Sequence, residues 1–428
     1  MAKQPSVVVG IDLGSRLMKV AEVRTGRPPT VTNIGIAPTP EGAIDSSGIV
    51  DKAAVAAALK RLLADSGIST KYAAFALAGQ NSVVVRVLEV PKMSPAELRQ
   101  HMEWEIGRNI PFADTNVQSA YEVIRRPDAD PNADNMEVVL AVAPAEAVDS
   151  LVEIADGLKL EPYAIDVEPL ALARSLLLTQ PDTSAKSVAI VNLGAESTSI
   201  DIYTHGLLSF PRVLPIGGNA LTRAIADRLM ISEAEAEQLK AQLAEVLMDQ
   251  IPQVTSPFSV PTGGFYTPGF GGIPTVGSEP SPFMTPGSLT GGYEPGAPEE
   301  TEPSFEGPRE PSAEATLPAQ SPIDPQKREV FLAIYPLLEE LATEIRRSVE
   351  YFRSRYANAD IHQIILCGGG AALPNLDQYI NAATGIPTVI GNPFKGVQLS
   401  VKRHGPDYVA AHAHLMAVAV GMGLHASF

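Results

Sequence analysis

The sequence predicts an α/β fold made of two similar lobes, and three observations support this prediction. A cluster of three strands occurs twice, first from Val7 and again from Ser187. The chain has 428 residues, which exceeds the roughly 250 to 300 residues that one hydrophobic core usually supports. Three apolar, β-branched runs spread along the chain each end in a glycine-bearing turn. We therefore expect two lobes whose glycine turns enclose a nucleotide between them.

Residues 1–81 are predicted to form part of the first lobe. Three strands precede a helix from Lys52 to Ser66, which has one apolar face and a glycine stop at Gly67. This order of elements opens an RNase H-like half-domain. The predicted strands cover Val7 to Ile11, Met18 to Arg24 and Val31 to Ala37.

Residues 82–163 are predicted to form a small αβ insertion subdomain within the first lobe. Ser94 and Glu97 form a capping box, with Pro95 at the first position of a helix that ends before Pro111. Residues 164–186 are then expected to supply a connecting helix of the first lobe.

The second lobe is predicted to consist of residues 187–250 and 326–400. Its helices are expected from Ser232 to Asp249 and from Gln326 to Tyr356, the latter bent or interrupted at Pro336. Residues 401–428 are predicted to end in a helix that packs on the first lobe. The apolar tail favours a buried helix over a membrane span, because histidines and glycines interrupt it.

Residues 251–325 are expected to be a disordered insertion. They hold 16 of the 37 prolines, and nine acidic residues against one arginine. Without apolar periodicity, such a segment cannot bury enough surface to offset its ordering entropy. A passive spacer is the favoured interpretation, and short recognition segments around its aromatic residues are the alternative.

The composition argues against several classes of function. The formal net charge is −17 and no basic cluster is present, which argues against nucleic-acid binding. Cys367 is the single cysteine, so an intramolecular disulfide and a thiolate zinc site are excluded. The start of the sequence leads into a strand without a hydrophobic signal segment, so we expect a cytoplasmic protein.

The first glycine turn combines groups that suit phosphate and metal binding. Asp12 ends the first strand and could hold Mg²⁺ through a water molecule. The backbone N–H groups of Gly14 and Ser15 could meet a phosphate, and Lys19 on the returning strand could add a point charge. By itself this motif fits a plain hairpin turn equally well.

The other two turns repeat this scheme with different side chains. Asn192, Gly194 and Thr198 belong to the second turn, where hydroxyls replace the lysine. The third turn has three adjacent glycines, Gly368, Gly369 and Gly370, which suit the close approach of an adenine or its α-phosphate. A turn that opens a helix is the simpler alternative there.

Together these motifs resemble the actin, hexokinase and heat-shock-chaperone ATPase superfamily, in the order that superfamily requires. The run from Asp12 to Lys19 resembles its first phosphate loop, and the run from Asn192 to Thr198 its second. The resemblance implies that Glu168 positions the attacking water, as the one candidate catalytic residue. It also implies that Glu237 and Lys240 meet ribose and adenine, that the three glycines form the adenosine loop, and that ATP and Mg²⁺ are the ligands.

Within the superfamily, the sequence is similar to the PilM family of type IV pilus assembly. Val90 to Ser94, Glu103 to Glu105, Ile110 to Phe112 and Ile165 to Ala173 carry the similarity. It implies an actin-like ATPase fold of two RNase H-like lobes, with the insertion placed as in FtsA. The implied partner is the N-terminal cytoplasmic peptide of PilN, held between the first subdomain and the insertion. PilO would be reached indirectly, and the assembly motor ATPase would be linked at the inner face of the inner membrane, with membrane contact only through partners.

One departure from the superfamily pattern concerns hydrolysis. Asn192 stands where the second loop normally has Asp, so it offers an oxygen without negative charge. Magnesium should then be held less firmly and water activated less well. We expect an ATP-binding protein with at most weak ATPase activity.

Two alternative functions stay open from the sequence. A small-molecule kinase of the same superfamily would need a carboxylate base, for which Asp166 is the candidate, although a helix-cap role fits this aspartate better. An FtsA-like cell-division scaffold is the other alternative. The terminal segment from Ala410 to Phe428 lacks Lys and Arg, which argues against direct membrane anchoring of the kind used by FtsA.

Overall fold

The computed structural model describes residues 4–79, 82–110, 115–130, 132–180, 183, 186–251, 324–356 and 359–428. Residues 252–323 lie outside this described part, so the expected disorder of the insertion at 251–325 stays a prediction. The strands are β1 Val7–Leu13, β2 Leu17–Arg24, β3 Thr30–Pro38, β4 Ile44–Asp45, β5 Gly48–Ile49, β6 Tyr72–Leu77, β7 Val84–Pro91, β8 Val117–Ile124, β9 Asn135–Pro144, β10 Glu161–Val167, β11 Ser187–Leu193, β12 Thr198–Thr204, β13 Leu207–Leu214, β14 Gln363–Cys367, β15 Thr388–Ile390 and β16 Gln398–Leu399. The α-helices are α1 Lys52–Asp65, α2 Pro95–Asn109, α3 Ala145–Gly157, α4 Glu168–Ala173, α5 Gly218–Leu229, α6 Glu233–Leu243, α7 Pro325–Arg355, α8 Leu376–Thr384, α9 Pro406–Ala411 and α10 Ala417–Gly423.

Two sheets with the same plan form the centres of the two lobes. The first sheet has the order β10-β6-β1-β2-β3-β16, and the second has the order β13-β12-β11-β14-β15. In each, a meander of three antiparallel strands is joined to two parallel strands, so β1 corresponds to β11 and β2 to β12. The repeat of architecture predicted from the sequence is therefore present, although the two halves share little sequence.

Both faces of the first sheet are covered, which explains why β1 is apolar except for Asp12 and why most residues of β2 are buried. Helices α1 and α3 pack on one face, and α10 packs on the other. Glycines allow α10 to come very close to its neighbours. A Cβ at Gly10 of β1 would lie 1.9 Å from the carbonyl oxygen of Ala419, and one at Gly421 would lie 1.9 Å from that of Ala171 in α4. Helix α10 is thus wedged between β1 and α4.

The second sheet packs against the long helix α7 together with α5, α6 and α8. Helix α7 runs from Pro325 to Arg355 without the interruption expected at Pro336. The side chain of Pro336 is exposed, and a proline on the solvent side disturbs packing less than one on the core side.

The insertion subdomain is a three-stranded sheet, β7-β9-β8, covered by α2. The capping box of Ser94 and Glu97 at the start of α2 is present as predicted. The subdomain also reaches the second lobe through a group of three side chains that we call the strut: Arg126, Glu137 and Tyr356. Arg126 pairs with Glu137 and donates hydrogen bonds to the carbonyl oxygens of Thr204 (3.3 Å) and Leu208 (3.0 Å).

Tyr356, directly after α7, completes the strut by donating a hydrogen bond to Glu137 at 2.5 Å. Burial, with the carboxylate of Glu137 beside it, raises the pKa of Tyr356 to about 12. The phenol therefore keeps its proton and its role as a donor throughout the neutral range.

Replacing Arg126 with alanine is expected to lower the free energy of unfolding by about 2 to 4 kcal/mol, because the mostly buried Glu137 would lose its cation. The neighbouring Arg125 is exposed, and Arg125→Ala is the matched control, with an expected change within about 0.5 kcal/mol. Urea unfolding at pH 7 measures both. Strand β7 also lies against β13 of the second lobe, and equal stability of the two variants would mean that this contact holds the insertion without the strut.

Two predicted helices differ from the observed ones. The helix expected to reach Asp249 ends at Leu243, because the next residues are drawn into contact with a distant loop. Val246 donates a backbone hydrogen bond to Pro374, and the amide of Asn375 donates to Glu245 and Val246. The expected C-terminal helix is divided into α9, a 3-10 turn Ala413–Leu415, and α10. None of the helices in the described ranges has the length and hydropathy needed to span a bilayer.

Candidate functional site

The three glycine turns meet because each follows the carboxyl end of a central strand, namely β1, β11 or β14. Such ends are where open α/β sheets bind ligands. In the first turn, Asp12 lies opposite Lys19 in the β1–β2 register, and the Lys19 Nζ is 2.7 Å from the Asp12 Oδ2. The Gly14 N–H donates to the Leu17 carbonyl at 3.2 Å.

Thr39 fixes the first turn from the end of β3. Its hydroxyl donates to the carbonyl of Gly14 at 2.6 Å, and its N–H donates to the carbonyl of Arg16 at 3.0 Å. The backbone of residues 14–16 is therefore held on both sides of Ser15.

The second turn has the same geometry in the other lobe. The Gly194 N–H donates to the Ser197 carbonyl at 2.9 Å, as Gly14 does to Leu17. Helix α5 begins beside this turn, with the N–H of Gly218 donating to the Gly194 carbonyl. Thr198 is buried, and its hydroxyl donates to the Ile216 carbonyl at 2.6 Å. The Thr198 hydroxyl therefore forms its hydrogen bond inside the second lobe and does not face the second turn.

The third turn packs directly on the second. Gly368 has φ +81°, and a Cβ there would lie 2.4 Å from the Asn192 Oδ1 and 2.5 Å from the Leu193 carbonyl oxygen. A Cβ at Gly370 would lie 2.7 Å from the Leu193 Cβ. Packing alone accounts for these two glycines, whereas a Cβ at Gly369 would come no closer than 3.9 Å to a described atom. The break between α9 and α10 lets the His414 carbonyl accept a hydrogen bond from Gly368.

Glu168, the first residue of α4, lies where the two lobes meet. The Ser199 hydroxyl is 2.9 Å from the Glu168 Oε1, and the Asn192 side chain also bonds to this carboxyl. Burial raises the pKa of Glu168, as does the charge of Asp12, while hydrogen bonds from Asn192 and Ser199 and the charge of Lys19 oppose this. The structure therefore brings together Asp12, Lys19, Asn192 and Glu168, which are far apart in sequence.

Two polar residues behind Glu168 were missed by the sequence analysis. The Ser199 hydroxyl lies 2.8 Å from the Asp201 Oδ2, and Asp201 is only 1% exposed. Burial and the charge of Glu168 raise the pKa of Asp201 well above its usual value. The alternation of β12 could have revealed them, because Ser199 and Asp201 share one face of the strand.

Glu237 and Lys240 form a second cluster, on α6 of the second lobe. The Glu237 Oε2 accepts hydrogen bonds from the Thr222 hydroxyl (2.6 Å) and the Lys240 Nζ (2.8 Å). Burial acts to raise the pKa of Glu237, but the bonds from Lys240 and Thr222 and the charges of Lys240 and Arg16 outweigh it, so the pKa is lowered. The Arg16 Nη2 lies 2.9 Å from the Glu237 Oε1 and so links the two lobes.

The donor set suits a hydrated magnesium ion better than a directly bound one. Within the described ranges, no group of three or more His, Cys, Asp or Glu side chains could surround a metal ion. Asp12, Asn192 and Glu168 nevertheless place oxygens close together, and Asp12 is already paired with Lys19. Mg²⁺ usually keeps several of its waters when it binds beside phosphates. These oxygens fit an ion held through water.

Asp166, the candidate base for a kinase, is engaged elsewhere. It pairs with Arg174, accepts a hydrogen bond from the N–H of Val167 at 2.7 Å, and lies 3.5 Å from His425. These contacts explain Asp166 as a structural residue and weaken the kinase alternative.

Comparisons with known proteins bear on the family and the fold of the chain. A family model described as type IV pilus assembly protein PilM matches residues 10–260 and 323–427. A solved structure of a PilM-PilN type IV pilus biogenesis complex aligns over 100% of both chains, with a TM-score of 0.72 and 23% identity, and so shares the fold. The actin-like fold with two lobes, predicted from the sequence, is confirmed.

Curated relatives match over shorter stretches. Cell division protein FtsA of Bacillus subtilis (strain 168) is 35% identical over 86 residues, which is 20% of this chain and 19% of that protein. FtsA of Porphyromonas gingivalis (strain ATCC BAA-308 / W83) is 37% identical over 98 residues, 23% of this chain and 20% of that protein. The chain spans about a fifth of the length of these curated relatives.

Proposed function

Because the chain belongs to the type IV pilus assembly protein PilM family, we propose that it is an actin-like scaffold that binds ATP between its lobes and docks a partner peptide. One observation carries the nucleotide part. Two hairpins of identical hydrogen bonding, at Gly14 and Gly194, come from the two lobes and meet at Glu168. Backbone N–H groups in such turns form concave sites for anions.

The nucleotide would lie across both hairpins. The N–H groups of Ser15 and of the second turn would meet the β- and γ-phosphates, with Lys19 as the nearest cation. Gly369 leaves room for the adenosine, and Glu237 with Lys240 would meet ribose and adenine. Bound Mg²⁺ would neutralise part of the phosphate charge, held through water by Asp12 and Asn192.

Hydrolysis would be slow. Glu168 could orient the attacking water, but burial raises its pKa, so it accepts a proton at a higher pH than an ordinary glutamate. Asn192 adds an oxygen without charge beside it. Turnover should therefore fall as the solution is acidified toward the pKa of Glu168, since the carboxylate is the form that orients water.

Replacing Asn192 with aspartate is expected to raise the ATP turnover rate by about 10-fold at saturating Mg²⁺, which offsets the negative charge added beside Glu168, and to make the rate depend more steeply on Mg²⁺. The change is nearly isosteric, so it respects the close contact with Gly368. Phosphate release from purified protein, at several Mg²⁺ concentrations, measures the effect. A variant slower than the wild type would show that the amide is better suited to this site than a carboxylate.

The proposed partner is the N-terminal cytoplasmic peptide of PilN, bound between the first subdomain and the insertion. Membership of the PilM family supports this, and a related fold is known from a PilM-PilN complex. Binding would hold the chain at the inner face of the inner membrane, with PilO beyond PilN, and would link PilN to the assembly motor ATPase. An extended peptide gains affinity from main-chain hydrogen bonds and side-chain pockets.

Two measurements test these proposals separately. Isothermal calorimetry with ATP and ADP, in the presence of Mg²⁺, tests the nucleotide site, and the absence of binding by folded protein would reject it. A pull-down with synthetic N-terminal peptides of inner-membrane pilus proteins, with and without ATP, tests docking. Failure to retain the PilN peptide in both conditions would reject the partner.

A further inference from the structure

Arg16 makes a contact between the lobes that the proposed function has not used. It is the last residue of the first turn, and its guanidinium reaches across to Glu237 of α6, at 2.9 Å. Its side chain is 53% exposed, and that of Glu237 is 32% exposed. The bridge thus spans the two lobes beside both phosphate loops, where an entering ligand has access to it.

The remaining contacts of Glu237 are of a different kind. Thr222 and Lys240 bind its other oxygen, and both residues belong to the second lobe. Lys240 also donates to the carbonyl of Gly218, which itself bonds to the second loop. These bonds fix Glu237 within its own lobe. The Arg16 contact is the one that can open without rearranging α5 or α6.

We propose that Arg16 distinguishes nucleotides by their phosphates: its guanidinium leaves Glu237 when ATP binds and takes the terminal phosphates instead. This inference rests on the proposed nucleotide site and assigns it a further binding residue. In this exchange, the Arg16 guanidinium gives up the single negative charge of the Glu237 carboxylate and gains the larger negative charge of a triphosphate. A guanidinium also pairs with phosphate oxygens in a bidentate manner. It also frees the Glu237 Oε1 for a ribose hydroxyl.

The local structure permits this exchange at small cost. Thr39 holds the turn through the carbonyls of Gly14 and Arg16, so the backbone can stay in place while the Arg16 side chain swings. Lys19 lies on the other side of the turn, where a Cβ at Gly14 would be 3.1 Å from its Nζ. The phosphates would then meet two cations: Lys19, which is fixed below the turn, and Arg16, whose side chain is mobile, beside it.

Calorimetric titration of wild type and Arg16→Ala with ATP, ADP and AMP tests the inference. We expect Arg16→Ala to weaken ATP binding by about 10-fold, ADP binding by about 3-fold, and AMP binding not at all. An equal loss for all three nucleotides, or unchanged ATP affinity, would overturn the inference. If the wild type binds none of them, both the nucleotide site and the inference fail. If it binds ATP and the variant binds equally well, only the inference fails.

Two further variants separate phosphate recognition from a purely structural bridge. Glu237→Gln weakens the bridge but keeps the arginine, so the preference for ATP over AMP should persist. A bridge that acted only by joining the lobes would instead make Glu237→Gln reproduce the graded loss seen in Arg16→Ala, whereas a lost ribose contact lowers the affinity for all three nucleotides equally. Arg24→Ala, at the far end of β2 and exposed, is the matched control and should leave all three affinities unchanged. Circular dichroism confirms that each variant is folded.

Discussion

Replacing Lys19 with methionine will weaken ATP binding by about 100-fold. The Lys19 side chain is 14% exposed, and its ammonium lies directly beside the first turn and Asp12. A hydrogen bond between charged groups at such a site contributes about 1.5 to 3 kcal/mol. Loss of the lysine also leaves the negative charge of Asp12 uncompensated next to the phosphates. Methionine keeps most of the side-chain volume, so packing against the turn changes little.

Calorimetry with Mg-ATP measures the effect, and Lys52→Met is the matched control. Lys52 forms an ion pair of similar length, 2.7 Å to Glu153, but on an exposed surface, and its removal should leave ATP affinity unchanged. Thermal unfolding of both variants, without nucleotide, shows whether Lys19→Met is folded. A folded Lys19→Met protein with wild-type affinity would mean that phosphates do not lie on the first turn.

Replacing Gly10 with alanine will destabilise the protein by at least about 3 kcal/mol. The added Cβ would lie 1.9 Å from the Ala419 carbonyl oxygen and 2.3 Å from the Gly423 amide nitrogen. Both atoms belong to the backbone of α10, so no side-chain rotation relieves the clash. The helix must move as a unit, and with it the close contact of Gly421 with α4, whose first residue is Glu168. We therefore also expect weaker nucleotide binding.

Gly157→Ala is the control for this prediction. Gly157 ends α3, and a Cβ there would meet no described atom within 4 Å. Because alanine is the better helix former, this variant should be neutral or stabilised by up to about 1 kcal/mol. Guanidinium unfolding compares the two variants. If Gly10→Ala were as stable as Gly157→Ala, α10 would not be wedged against β1.

Local sequence patterns were sufficient for most of the secondary structure. The capping box at Ser94 begins α2, and the box at Ser232 begins α6. The start of a helix can be predicted from the sequence, because the residues that accept hydrogen bonds from its first N–H groups lie within one turn. The end of α6 could not be predicted in this way. Glu245 and Val246 bond to Pro374 and Asn375, which lie far away in the sequence.

The candidate site was predicted in part for the same reason. Asp12 and Lys19 are joined by one hairpin, so their pairing follows from the register of β1 and β2. The role expected for Thr198 followed from its place beside a glycine turn, but the hydroxyl bonds to Ile216 inside the lobe. Its neighbour Ser199 points to Glu168, because successive side chains of a strand point to opposite faces. The expectation for Thr198 was based on its position in the motif and did not take this alternation into account.

The sequence by itself determined the two clusters of three strands, the three glycine turns and the repeated half-domain, since these depend on residues close together in the chain, but it did not predict β6, β8 or β10. Only the tertiary structure decided that Gly368 packs on Asn192, that Glu168 meets Ser199, and that Arg16 reaches Glu237. These contacts join segments that are separated by tens to hundreds of residues. Their distances depend on how whole sheets and helices pack, and no local pattern of side chains specifies that packing.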